Sequence, residues 1–203
     1  LIMVIVNEAK ERRRRAIAGY QTLLGGALLQ MFNGCFFLWA NISQYILSYM
    51  YQFDADTNIN NIFYVDVVLI LLNCIGHYVG SYLLKELKWN PKKIIALAGS
   101  VAILGIWMAS FATNMTTFLV LYGGLGGIGC GINYMIPLVA AWEHFPDKKG
   151  LCTGVIIGAY GLGSFIFTRL STRLVNPNDA KATIEVGEDL SYFEPEVANR
   201  VPQ

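Results

Sequence analysis

Long stretches without a charged side chain constrain this sequence more than any other feature. Residues 16–53, 67–84, 94–142 and 150–168 contain no Asp, Glu, Lys or Arg. A helix crosses the hydrocarbon layer of a bilayer with about 20 apolar residues, so each block is long enough to span it. Charged residues make up 14% of the chain, against roughly 25% in soluble domains. The pattern predicts an integral membrane protein in contact with lipid. It excludes a soluble globule and a nucleic-acid-binding protein.

The third block is too long for one crossing, and a polar, turn-like break lies inside it at residues 112–116. Dividing the block there gives five helices. We therefore expect an all-α membrane protein with transmembrane helices at about 17–45, 63–85, 93–112, 116–142 and 150–173. These make up a bundle over residues 16–175, preceded by a basic segment, 1–15, and followed by an acidic extramembrane loop or tail, 176–203.

The basic residues indicate the orientation of the bundle. Most of the 15 Lys and Arg residues lie in the N-terminal segment and in the linkers after the second and fourth predicted helices. Loops rich in Lys and Arg stay on the cytoplasmic side of a membrane. The sequence thus predicts a cytoplasmic N-terminus, or a matrix or stromal one in the inner membrane of an organelle. A plasma membrane and an organelle membrane both remain open.

Glycines recur every fourth residue in the last two predicted helices. This spacing produces a flat groove in which a neighbouring helix can approach closely. Residues 124–129 (GLGGIG) also match a nucleotide-binding G-x-G-x-x-G pattern, but that site needs a preceding strand, and here the string lies in an apolar run. We therefore interpret the two triplets as helix-packing positions: Gly123, Gly127 and Gly131, and Gly150, Gly154 and Gly158.

Several polar side chains fall near the middle of the membrane, where they are costly and therefore informative. Their convergence on one depth favours a shared hydrated cavity, although any one of them could simply hydrogen-bond a neighbouring helix. His77 also lies at this depth, where we expect a structural histidine. The candidate substrate-binding residues are Gln30, Asn33, Asn73, Asn133, Tyr134 and Tyr160.

The sequence contains no pattern typical of an active site. It lacks a Ser/His/Asp arrangement in a soluble segment, an H-E-x-x-H motif and paired intramembrane carboxylates. The cysteines show no C-x-x-C spacing, which argues against a metal site or disulfides. We expect no enzyme, no metal and no cofactor. A transporter and a structural or accessory membrane subunit remain as candidates.

Four strings resemble the major facilitator superfamily of transporters. Residues 25–30 (GGALLQ) are similar to the first helix of the family. Residues 124–137 (GLGGIGCGINYMIP), 141–151 (AWEHFPDKKGL) and 154–163 (GVIIGAYGLG) resemble the fourth helix, the following turn and the fifth helix of its oxalate/formate antiporter and monocarboxylate branch.

This resemblance implies a transporter of small organic anions, of the monocarboxylate or dicarboxylate type, that works by alternating access. The family has twelve helices in two halves, so five helices would represent the N-terminal half. The resemblance then implies that the missing C-terminal half, or other membrane subunits, are partners. Arg169 and Arg173 would lie at the outer mouth. The alternative is a non-transporting structural or accessory subunit derived from a transporter half.

Overall fold

The computed structural model describes residues 2–54, 57–185 and 191–201. Within these residues five helices are long and apolar enough to cross a membrane, which confirms the prediction of a helical membrane protein. We call them the first to fifth spans. They cover Asn7–Tyr51, Ile59–Lys85, Pro91–Ala109, Met115–His144 and Pro146–Val175.

The first span is longer than the helix predicted at 17–45. An α-helix over Ile2–Asn33 passes through a 3-10 turn at Gly34–Leu38 and continues as an α-helix over Trp39–Tyr51. In its second half Ser43 and Ser48 are buried, whereas Asn41 and Gln44 are exposed. A C-terminal segment, described below, packs against this part of the helix and contacts Ser48.

Asparagine side chains cap the N-termini of the second, third and fourth spans. Asn58 Oδ1 accepts a hydrogen bond from the backbone N–H of Asn60 at 3.0 Å. Asn90 does the same for Lys92 at 2.9 Å, and Asn114 for Thr117 at 2.7 Å. Each asparagine satisfies a helix N–H that has no partner within the helix itself.

The fourth span changes its helical geometry along its length. It consists of α-helix over Met115–Phe118, π-helix over Leu119–Gly126 and α-helix over Gly127–His144. The π segment lies against the 3-10 turn of the first span through four aromatic rings, with centroids 5.1 to 5.9 Å apart. We call these the hinge cluster: Phe36, Trp39, Phe118 and Tyr122.

Glycines bring the second and fourth spans into backbone contact. A Cβ placed on Gly127 would lie 2.9 Å from the carbonyl oxygen of Leu69, and one on Gly123 would lie 3.4 Å from that of Val65. Gly131 packs against the backbone of Asn73. Gly76 and Gly80 on the second span meet Ile128 and Ile132 in the same way. The predicted first triplet therefore lies in a helix contact, and its partner stripe is Gly76 and Gly80.

The second glycine triplet faces no neighbouring helix among the described residues. A Cβ on Gly150, Gly154 or Gly158 would meet no atom within 4 Å among the described residues. The fifth span instead packs on the first through its opposite side. There a Cβ on Gly34 would lie 2.8 Å from the N of Ser164, and Gly163 abuts the backbone of Met31. Glycine spacing marks a side of a helix that a neighbour could approach, but it does not say whether a neighbour is present.

The segment after the fifth span folds back onto the first span. Strands Ile184–Glu185 and Ser191–Tyr192 pair antiparallel, and a short helix follows at Pro195–Ala198. We call residues 176–185 and 191–201 the C-terminal cap. Its aromatic side chains stack on the first span, Phe193 on Tyr45 at 4.4 Å and Tyr192 on Tyr51 at 4.5 Å.

Hydrogen bonds hold this cap in place. The Tyr192 hydroxyl donates to the Thr57 carbonyl at 3.1 Å, and the Phe193 N–H donates to Ser48 Oγ at 3.0 Å. Gln44 Nε2 donates to the Ser191 carbonyl at 3.1 Å. The described part of the predicted acidic loop is therefore a packed element that joins the end of the fifth span to the end of the first.

Candidate functional site

Two of the predicted site residues form a buried amide pair between the first and fourth spans. Gln30 Nε2 donates to the Tyr134 carbonyl at 2.7 Å, and Asn33 Nδ2 donates to Gln30 Oε1 at 3.1 Å. Pro137 has no N–H to donate to the carbonyl of Asn133, so the fourth span lacks one backbone hydrogen bond next to this contact. The pair supports the fourth span at this point, so these amide groups are engaged inside the bundle.

Asn133 lies apart from the other candidates. Its buried amide faces the third span, where it donates to the Ile95 carbonyl at 3.3 Å and accepts from the Gly99 N–H at 3.0 Å in the orientation that satisfies both atoms. Neighbouring residues on an α-helix point about 100° apart. Asn133 and Tyr134 therefore face different spans, and the expected common cavity does not include Asn133.

Four rings from four different spans form a continuous row. His77 of the second span contacts Tyr134 of the fourth in a tilted arrangement, with 4.7 Å between the ring centroids. Tyr134 meets Tyr160 of the fifth edge-on at 5.6 Å, and Tyr160 meets Phe37 of the first edge-on at 5.0 Å. We call these residues the aromatic row. It is the place where the spans that carry site candidates come together.

The aromatic row lies between the buried interior and an open side of the bundle. Tyr160 is buried, His77 and Tyr134 are half-buried, and Phe37 is 62% exposed. Among the described residues the Tyr134 hydroxyl makes no hydrogen bond. A small molecule on the open side could therefore contact the rings and one free hydroxyl.

The interior beneath the row is neutral and polar. Asn73 Nδ2 donates to the Gly127 carbonyl at 3.4 Å, and the fully buried Cys130 thiol donates to the Asn33 carbonyl at 3.9 Å. Cys130 also lies beside Asn73 and Tyr160. Within the ranges that the structure describes, no three His, Cys, Asp or Glu side chains are grouped closely enough to hold a metal ion.

His77 is the member of this row that the sequence analysis interpreted as a structural histidine and did not include among the candidate substrate-binding residues. It follows Asn73 by one helical turn, so the two share a side of the second span. That spacing was the signal available in the sequence. In the structure its Nε2 atom is enclosed and has no hydrogen-bond partner among the described residues.

Arg169 and Arg173 lie in a separate pocket at the end of the fifth span. This pocket, of about 790 Å³, borders the C-terminal cap and shares no lining residue with the aromatic row. Both arginines are exposed, and the Arg169 guanidinium lies 5.5 Å from the Phe165 ring centroid. The remaining residues around the pocket are Asn41, Thr168, Thr172, Asn176, Pro177 and Asp179.

Comparison with known proteins identifies relatives among membrane carriers, while no family model matches the chain. Apicoplast pyruvate carrier 1 of Toxoplasma gondii is 22% identical over 87% of this chain and 38% of its own length. Monocarboxylate transporter 13 of Rattus norvegicus is 31% identical over 50% of the chain and 23% of its own length. An uncharacterised MFS-type transporter of Escherichia coli, YhjX, is 30% identical over 43% of the chain and 22% of its own length.

Each comparison matches part of the chain, and the chain in turn spans less than two-fifths of each of these relatives. They carry the names of transporters, which points away from catalysis. The resemblance read from the sequence is thereby confirmed: the homologues of this chain are transporters of the major facilitator type, monocarboxylate transporters and pyruvate carriers among them.

Proposed function

We propose that this chain is part of a membrane transporter of small organic anions, of the monocarboxylate or dicarboxylate type, that operates by alternating access. The observation that carries the proposal is the aromatic row, in which four spans contribute rings to one open side of the bundle. The names of the relatives, which include a pyruvate carrier and a monocarboxylate transporter, support the substrate class.

The aromatic row suits a small carboxylate for a physical reason. A tyrosine hydroxyl donates a hydrogen bond to a carboxylate oxygen, while its ring offers an apolar wall. No Lys or Arg lies in the row, so the anion is oriented without being trapped by a full charge. Tyr134 and Tyr160 are the proposed donors. Gln30, Asn33 and Asn73 are bonded inside the bundle, and their proposed role is to hold the two tyrosines in place.

Arg169 and Arg173 are proposed to attract the anion at the outer mouth. They are separated by one helical turn on the fifth span and share a pocket with two threonines. Exposed arginines can also extend towards lipid headgroups. Replacing both by Gln distinguishes the two roles, because a recruitment role predicts slower uptake that depends on ionic strength.

Alternating access needs two walls around a site near the middle of the membrane. In this proposal the five spans form the N-terminal wall, and a further set of helices forms the other. The N-terminus lies on the cytoplasmic, matrix or stromal side, in agreement with the distribution of basic residues.

Transport assays test this function directly. The natural polypeptide that contains this chain is reconstituted into proteoliposomes, and uptake of labelled formate, oxalate, lactate and pyruvate is measured. Tyr134→Phe and Tyr160→Phe keep the rings and remove the hydroxyls. We expect half-saturation concentrations to rise about five- to tenfold, the equivalent of one hydrogen bond.

Two outcomes count against the proposal. Robust uptake with unchanged half-saturation in both variants would remove the tyrosines from the site. No uptake of any of the four acids by folded protein would favour the structural or accessory subunit instead.

A further inference from the structure

Within the part of the chain that the structure describes, one enclosed side-chain nitrogen of the aromatic row has no hydrogen-bond partner. Nε2 of His77 is enclosed by protein, and none of the described residues offers it a donor or acceptor. The nearby amides of Asn73 and Gln30 are both bonded. Leaving a buried polar atom unpaired destabilises a fold, so such atoms are rare and call for a specific explanation.

The backbone at His77 is held firmly, whereas its ring is less constrained. Gly76 packs against the fourth span so closely that a Cβ there would lie 2.6 Å from the Ile128 carbonyl oxygen. The imidazole itself is half-exposed and contacts the Tyr134 ring at a tilt of 33°. The χ2 torsion of histidine, which rotates the imidazole ring, has broad energy minima. The ring can therefore turn towards the open side, and Nε2 gives up no hydrogen bond to the described residues when it does.

We propose that His77 is a further substrate-contacting residue, whose Nε2–H donates a hydrogen bond to the carboxylate of a monocarboxylate held against the aromatic row. This inference rests on the proposed function and adds a specific contact to it. A neutral imidazole with its proton on Nε2 supplies one donor. Together with the hydroxyls of Tyr134 and Tyr160, it provides three neutral donors from three spans. The unpaired atom is then explained by a partner that arrives with the substrate.

Two substitutions separate this role from a structural one. His77→Phe keeps a ring against Tyr134 and removes the unpaired nitrogen, and His77→Gln keeps a donor without the ring. Tyr78→Phe is the matched control, because Tyr78 is the next residue on the same helix and is 73% exposed. Each variant is made in the natural polypeptide that contains this chain. Binding of pyruvate and of lactate is measured by calorimetry, uptake in proteoliposomes, and stability by thermal unfolding.

The proposal predicts opposite effects on binding and stability. His77→Phe should weaken pyruvate binding and raise the half-saturation concentration about five- to tenfold. Its unfolding temperature should stay the same or rise, because a buried unpaired atom has been removed. His77→Gln should recover part of the affinity, and Tyr78→Phe should change neither quantity.

The remaining outcomes overturn the inference. If the His77→Phe variant binds pyruvate and lactate with wild-type affinity, His77 does not contact the substrate, whatever the stability of the variant. A loss of both stability and affinity that Gln does not relieve makes the imidazole a structural group. If the wild-type protein binds neither acid, this inference fails; if it also takes up none of the four acids of the transport assay, the proposed function fails with it. If the wild type binds and transports but His77→Phe is indistinguishable from it, only this inference fails.

Discussion

The contact between the second and fourth spans predicts that one glycine will tolerate no larger residue. At Gly127 a new Cβ would lie 2.9 Å from the Leu69 carbonyl oxygen and 3.4 Å from its Cα. Carbon and oxygen in ordinary contact lie more than about 3.4 Å apart, and Leu adds three further carbons beyond Cβ. Backbone atoms of a packed helix cannot swing aside, so the spans must separate. We expect Gly127→Leu to cost about 1–3 kcal/mol of stability.

Thermal unfolding in detergent measures this effect. A change of 1 kcal/mol shifts the midpoint by about 2–4 °C in a domain of this size, so a fall of roughly 2–12 °C is expected. Gly158→Leu is the matched control, since a Cβ there meets nothing within 4 Å among the described residues. We expect that variant to unfold close to the wild type. An equal loss in both variants, or none in either, would refute the use of Cβ clearance to rank these positions.

Two further predictions concern the ends of the bundle. In a variant without native cysteines, Cys at position 60 should react with an impermeant reagent from outside, and Cys at position 90 should react only after permeabilisation; the reverse pattern contradicts the orientation. Burial, and to a lesser degree the neighbouring Tyr51, raise the pKa of Tyr192 above its ordinary value near 10. Docking of the C-terminal cap is therefore fully stable below about pH 10 and weakens as the pH rises through the higher folded-state pKa. Protease sensitivity of the cap should increase there in the wild type and stay flat in Tyr192→Phe; matching profiles would exclude Tyr192 as the group that titrates.

Features that depend on local pattern could be predicted from the sequence. Charge-free blocks identified five spans, because charge is excluded from the hydrocarbon layer along the whole length of a crossing. The period of Gly123, Gly127 and Gly131 marked a side of the fourth span that does contact a neighbour. Both features follow from a single segment and the bilayer around it.

Features that depend on which segments meet could not be predicted in this way. Asn133 and Tyr134 are adjacent in sequence and equal in depth, yet one faces the third span and the other the aromatic row. Gly158 has the same spacing as Gly127 but no described neighbour. The cap binds through Tyr192 and Phe193, two rings whose partners lie more than a hundred positions earlier in the chain. Periodicity within a segment contains no information about these pairings.

The hinge cluster has a consequence for how the bundle can deform. The 3-10 turn of the first span and the π segment of the fourth span lie side by side, and both depart from regular α-helical hydrogen bonding. Long helices bend where that bonding is irregular. The first and fourth spans are therefore most compliant at the same level, with stacked rings rather than interlocked backbone between them. Beyond this level, the end of the first span is joined to the C-terminal cap. On the other side, the spans are held by Gly127, Gly131 and the amide pair. Bending of the first and fourth spans is thus easiest at one shared level, between the glycine contacts on one side and the cap on the other.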